Sequence, residues 1–156
     1  MALEIIVGNH QDAIAIPEGW LTAFEDIGSD AARLALRHCA REGDSPLQHL
    51  GTLEVAFVDD ETSDRVHRDF MNIPGCTDVI TFHHGEIVIG AQVAERQARE
   101  YGEPYARELL RYFVHGLLHL AGHEDDNDAV RTAMEAAQEE IVTALWTDEF
   151  RDRLAV

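Results

Sequence analysis

The sequence contains no lysine: all twelve basic residues are arginine, against thirty Asp and Glu, for a formal net charge of −18. Such a balance opposes non-specific association with nucleic acid, which depends on cations that neutralise phosphates. Cysteine is nearly absent too. The two present, Cys39 and Cys76, have no paired spacing that would build a zinc ribbon, and they fit a reducing compartment. No run approaches the roughly 18 apolar residues that a membrane helix requires. Residues 1–10 lack the basic and long apolar segments of a secretion signal. A cytoplasmic protein with no membrane association is therefore expected.

What is present is ordinary for a folded chain. The 156 residues are 46% hydrophobic and 27% charged, which suits one domain over 1–156 around a single core. The charge is uneven, however. Residues 1–64 carry 3 Arg and 13 acids, and residues 112–156 carry 3 Arg and 10 acids, whereas 65–111 carries 6 Arg against 7 acids. An anionic ligand is expected to meet that nearly neutral middle.

Apolar patterning divides the chain into short elements. Leu3 to Val7 is β-prone, and Pro17 to Arg41 reads as two helices divided at a Ser29-Asp30 cap. Leu53 to Val58 reads as a strand, closed by the acidic turn Asp59-Asp60-Glu61. Ser63 to Met71 is a short helix ended by Pro74-Gly75, and Asp78–Phe82 and Glu86–Ile89 are strands around Gly85. Gly90 to Tyr101 is a helix stopped at Gly102, and Pro104 opens another that runs to about Ala121. Asn127 or Asp128 caps a last helix to about Trp146. The order implies an α+β fold, a small mixed sheet packed with helices.

The chemistry concentrates in His115-Gly116-Leu117-Leu118-His119-Leu120-Ala121-Gly122-His123-Glu124-Asp125-Asp126. Four residues apart on a helix, His115 and His119 share one face and can ligate one ion. Gly122 permits a sharp turn that returns a later residue as third ligand, leaving a position open as in catalytic zinc sites. Histidines at this spacing are often structural. Here Val114, Leu117, Leu118 and Leu120 make the helix apolar nearly all round, and an ion would satisfy two otherwise costly buried imidazoles. The zincin motif places a general-base Glu directly after its first His. That place is Gly116, which counts against a peptidase although the helix itself is zincin-like.

These residues closely resemble the YbeY family of rRNA maturation factors, bacterial metal-dependent endoribonucleases. The resemblance extends through Thr77-Asp78-Val79-Ile80-Thr81-Phe82, Gly85-Glu86-Ile87-Val88-Ile89 and Gln97-Ala98-Arg99-Glu100-Tyr101-Gly102, and covers about 53 to 146. It implies a single YbeY-like metal-dependent hydrolase domain holding one Zn²⁺. The family's third ligand, a His ten residues after the first, falls here on Asp125, whose carboxylate is an acceptable zinc ligand. His123 is the alternative. An Arg that the family carries before the threonine-aspartate strand is replaced by Met71, with Arg68 and Arg65 one and two helical turns earlier. Arg68 is the substrate-binding candidate by position. Cys76 is expected as a buried small residue, and His83 and His84 are left outside the site.

The resemblance thus implies zinc-dependent endonuclease action on single-stranded RNA in rRNA processing and ribosome biogenesis. The metal ligands would be His115, His119 and Asp125, and no side chain is assigned as catalytic acid or base. Ribosomal RNA or a pre-ribosomal particle is the expected partner, with ribosome-assembly proteins as further ones. Phosphates would be met by Arg65, Arg68, Arg96, Arg99, Arg107 and Arg111. Two other readings stand beside it: a ribosome-assembly binding factor with a structural metal and little nuclease activity, and a metal-dependent hydrolase or peptidase on another substrate.

Overall fold

The computed structural model describes residues 3–38, 44–124 and 127–155. Their elements are β1 (Glu4–Asn9), α1 (Glu18–Arg37), α2 (Pro46–His49), β2 (Thr52–Val58), α3 (Asp60–Met71) and β3 (Val79–Phe82), followed by β4 (Glu86–Gly90), α4 (Ala91–Tyr101), α5 (Tyr105–Leu120), α6 (Asp128–Leu145) and α7 (Asp148–Leu154). The fold is α+β. Its one sheet is mixed, in the order β1-β2-β4-β3, with β1, β2 and β4 parallel and β3 antiparallel to β4.

The two sheet faces have different cover. Leu53, Val55, Phe57, Ile87 and Ile89 point into the main core with α1, α5 and α6. Val58, Ile80 and Val88 form a smaller cluster with Ala56, Val66 and Phe82 on the other face, where α3 lies. That double burial explains why β4 is apolar at successive positions instead of alternating. α5 is buried along most of its length and packs against α1, α4, α6 and the β3–β4 edge. No helix among the described residues is long and apolar enough to cross a membrane.

Three local expectations are corrected. Residues 18–37 form one helix, not two, because Ala23, Phe24, Gly28, Ala31, Ala32 and Ala35 make an unbroken buried stripe. Asp30 pairs with Arg33 on the outside (2.6 Å) and starts nothing. Positions 39–41 lie outside the described residues. Asp60 and Glu61 are the first turn of α3, not a strand-closing turn, because the Asp59 carboxylate accepts from Thr62 N (2.9 Å) and caps the helix. Two short helices were not anticipated: α2, with Pro46 in its first turn, and α7, capped by Thr147 and buried through Phe150 and Leu154.

Candidate metal centre

α5 delivers both histidines to the end of the sheet and stops immediately afterwards. Gly122 adopts φ +104°, while Gly122 N donates to His119 O (3.1 Å) and His123 N to Leu118 O (3.0 Å). This pair of bonds is the Schellman ending that a left-handed glycine permits. The turn swings the His123 carbonyl back over the helix, where it accepts from His119 Nδ1 (3.1 Å). His115 Nδ1 donates to Gln138 Oε1 on α6 (2.8 Å).

The tautomers follow from those partners. Carbonyl oxygens only accept, so both Nδ1 atoms carry a ring proton, and in the neutral form of each ring Nε2 is the nitrogen with the lone pair. The two Nε2 atoms face one another at 3.0 Å, with the rings at 80°. Neutral imidazoles repel in that arrangement. Two nitrogens each about 2.0–2.1 Å from one tetrahedral zinc would stand about 3.3 Å apart, so the observed gap fits a shared ion with little adjustment.

The remaining ligand expectations fare differently. Asp125 lies outside the described residues. Among the described residues no three His, Cys, Asp or Glu side chains are close enough to hold an ion, so His123 does not complete the pair. Its ring is buried, and its Nε2 donates to His38 O.

Two grooves meet at His115. One, of about 350 Å³, is lined by His67, Met71, Thr77, Asp78, Thr81, His115 and His119, among others. The second, of about 480 Å³, runs past Thr77 and Asp78 to Glu108, Arg111, Tyr112, Glu135 and Gln138. The shared Thr77 is held in place because Ser63 Oγ donates to Thr77 O (3.1 Å) and accepts from Thr77 N (2.9 Å). Asp78 O accepts from Gly90 N (2.9 Å), which ties this loop to the end of β4. Burial, with the Glu108 carboxylate beside it, pushes the Tyr112 hydroxyl well above the usual range and keeps it protonated.

A family model described as Endoribonuclease YbeY matches residues 22–146. The chain belongs to the YbeY family. It is similar to the Endoribonuclease YbeY of Chlorobaculum parvum, 34% identical over 109 residues, or 65% of this chain and 74% of that protein. The Chelativorans sp. relative of the same name is 30% identical over 134 residues, 78% of this chain and 81% of its own. The solution structure of TM1509 from Thermotoga maritima shares the fold, with a TM-score of 0.60, 24% identity, and coverage of 96% of this chain and 92% of that one.

The position where the resemblance implies an Arg lies at the end of α3. Met71 closes α3, is exposed, and lines the smaller groove. Arg68 lies one turn earlier, lines neither groove, and donates to Asp64 (3.1 Å). The other arginines are largely neutralised in place. Arg96 meets Asp60 (2.7 Å), Arg99 meets Glu95, and Arg111 meets Glu103, Glu108 and Glu139. Arg107 sits over the Trp146 ring (5.8 Å).

Cys76 departs from expectation. It is exposed, lines the larger groove and lies 3.5 Å from Arg96 Nη2, because the loop after α3 carries it onto the surface. His84 stacks on Phe82 away from both grooves. His67 and Gln138 were missed. Neither has a spacing signal, since Gln138 reaches His115 only through the packing of α6 on α5.

Proposed function

We propose that this chain is a zinc-dependent endoribonuclease that cuts single-stranded RNA during rRNA maturation and ribosome assembly in the cytoplasm. The convergence of His115 Nε2 and His119 Nε2 at 3.0 Å, with both Nδ1 protons committed elsewhere, carries the reading. RNA as substrate follows from the relatives, which are endoribonucleases by name. His115, His119 and Asp125 would hold the ion. When bound there, Zn²⁺ supplies Lewis acidity that polarises a phosphoryl oxygen and brings the pKa of water toward neutrality.

The chain's own residues do the rest. The Gln138 amide and the His123 carbonyl fix the two imidazoles. Thr77, Asp78 and Thr81 form the wall along which a strand would pass the His pair. Arg68, one turn before Met71 on α3, is the proposed cation, reaching a phosphate by exchanging its half-buried Asp64 partner.

A second reading is favoured by the pairing of the arginines with carboxylates. So few cations to meet phosphates suit a ribosome-assembly factor with weak cleavage. The discriminating experiment incubates the purified chain with single-stranded RNA, with and without Zn²⁺. Slow cleavage that requires the metal and vanishes in His119→Ala supports the nuclease. Binding to ribosomal particles without any cleavage in either condition would overturn it.

A further inference from the structure

His115 stands at the end of a hydrogen-bond chain that starts on its own helix. Arg111, one turn earlier on α5, donates through Nε to Glu139 Oε2 (2.8 Å) and through Nη2 to Glu139 Oε1 (3.0 Å). Glu139 Oε2 also accepts from Gln138 Nε2 (3.1 Å), and Gln138 Oε1 accepts from His115 Nδ1 (2.8 Å). Arg111 is itself held by Glu103 and Glu108. Gln138 is buried.

The order of these groups matters because an amide has two unlike ends. With Gln138 Nε2 toward His115, Nδ1 would have to accept, and the ring proton would move to Nε2, where it would block an ion. A carboxylate only accepts. Glu139 therefore draws the amide N–H to itself and leaves Oε1 for His115. The Glu139 side chain is 47% exposed, and the two-pronged bond from Arg111 keeps it from turning to solvent. Burial opposes its ionisation, but the hydrogen bonds from Arg111 and Gln138 outweigh that and hold its carboxyl below the usual range.

We infer that Arg111, Glu139 and Gln138 form a positioning relay that sets the tautomer of His115 and keeps its Nε2 lone pair on the ion site. The inference rests on the metal-site reading above for its purpose, though not for its geometry. A neutral amide at the end of the relay orients the ring without placing another negative charge against the ion.

The test uses the metal-free full chain and ¹⁵N NMR of the histidine rings, at one pH where the imidazoles are neutral. Wild-type His115 carries its proton on Nδ1, and His123 carries its own on Nε2, which faces the His38 carbonyl. In Glu139→Leu the His115 signals become a tautomer mixture while His123 is unchanged, and Zn²⁺ affinity by chelator competition falls about tenfold, as when a ligand's hydrogen-bond partner is lost. Adding Gln138→Glu, whose carboxylate accepts from either oxygen, restores the His115 tautomer and the affinity. The relay is overturned if Glu139→Leu leaves His115 unchanged, if His123 shifts with it, or if Gln138→Glu fails to restore it. A tautomer that responds as stated in a protein that binds no Zn²⁺ sustains the relay and sinks the metal reading instead.

Discussion

Gly116 lies against Ile87 so closely that a Cβ at 116 would stand 2.8 Å from Ile87 Cγ2 and 3.1 Å from Thr81 Cγ2. The position between His115 and His119 is therefore where α5 meets the β3–β4 edge, and it has no room for the zincin glutamate. Gly116→Ala gains about 1 kcal/mol of helix propensity but overpacks a site where Ile87 is fully buried, at a cost of about 1–3 kcal/mol. Overpacking wins because Cγ2 is fixed to the strand and cannot swing aside. Urea denaturation should show a lower midpoint at unchanged slope, with weakened Zn²⁺ binding. A variant as stable as wild type would mean that α5 does not sit this close to the sheet.

Metal content should be about one Zn²⁺ per chain and should be lost from His115→Ala or His119→Ala after chelator dialysis. Asp125→Ala should lose most of it as well. His123→Phe should keep it, since the His123 ring is turned to His38 and it is the His123 backbone carbonyl that serves His119. That variant should be less stable by about 1 kcal/mol for the lost buried hydrogen bond. Zinc lost from His123→Phe and retained in Asp125→Ala would reverse the ligand assignment.

The His pair and the glycine turn after it were legible because helical spacing and a left-handed ending are local properties. The strands were legible from their apolar runs, and the capped ends of α4 and α6 from Gly102 and Asn127. What failed was tertiary. Ser29-Asp30 has the chemistry of a cap, but the helix continues because its other face is buried throughout. The nearly neutral arginine-bearing segment looked open to an anion, yet Arg96 and Arg111 find their carboxylates 36 and 28 residues away, on α3 and α6. Gln138 was invisible for the same reason.

α3 carries His67 and Met71 to the smaller groove, and its start depends on Asp59. Hydrogen bonds from Thr62 hold the Asp59 carboxyl below its ordinary value of 3.8. A depressed pKa means that this contribution is complete above that value and is lost as pH falls through the folded-state pKa. Asp59→Ala should cost about 1 kcal/mol at neutral pH, and the difference from wild type should shrink in acid. Asp59→Asn, which keeps the acceptor, should stay near wild type. An Ala variant with unchanged stability at pH 7 would dismiss the cap.

If RNA passes along the smaller groove, phosphate contacts must come from the few cations on α3. Each contact to a single strand adds a slope of about 0.7 to the fall of log affinity with log salt. Wild type should therefore show a shallow dependence. Joint replacement of Arg65 and Arg68 by Ala should weaken RNA binding and flatten the slope by up to about 1.4, with zinc content unchanged. Met71→Arg places a guanidinium on the groove that His115 and His119 line, where Asp78 is the carboxylate in the lining. It should steepen the slope by about 0.7 and raise both affinity and cleavage rate. Should Met71→Arg change neither slope nor rate while Arg65 and Arg68 prove dispensable, the strand does not follow this groove. RNA would then have to run past Glu108, Arg111 and Glu135, where carboxylates outnumber the single arginine, and its affinity would be the weaker for it.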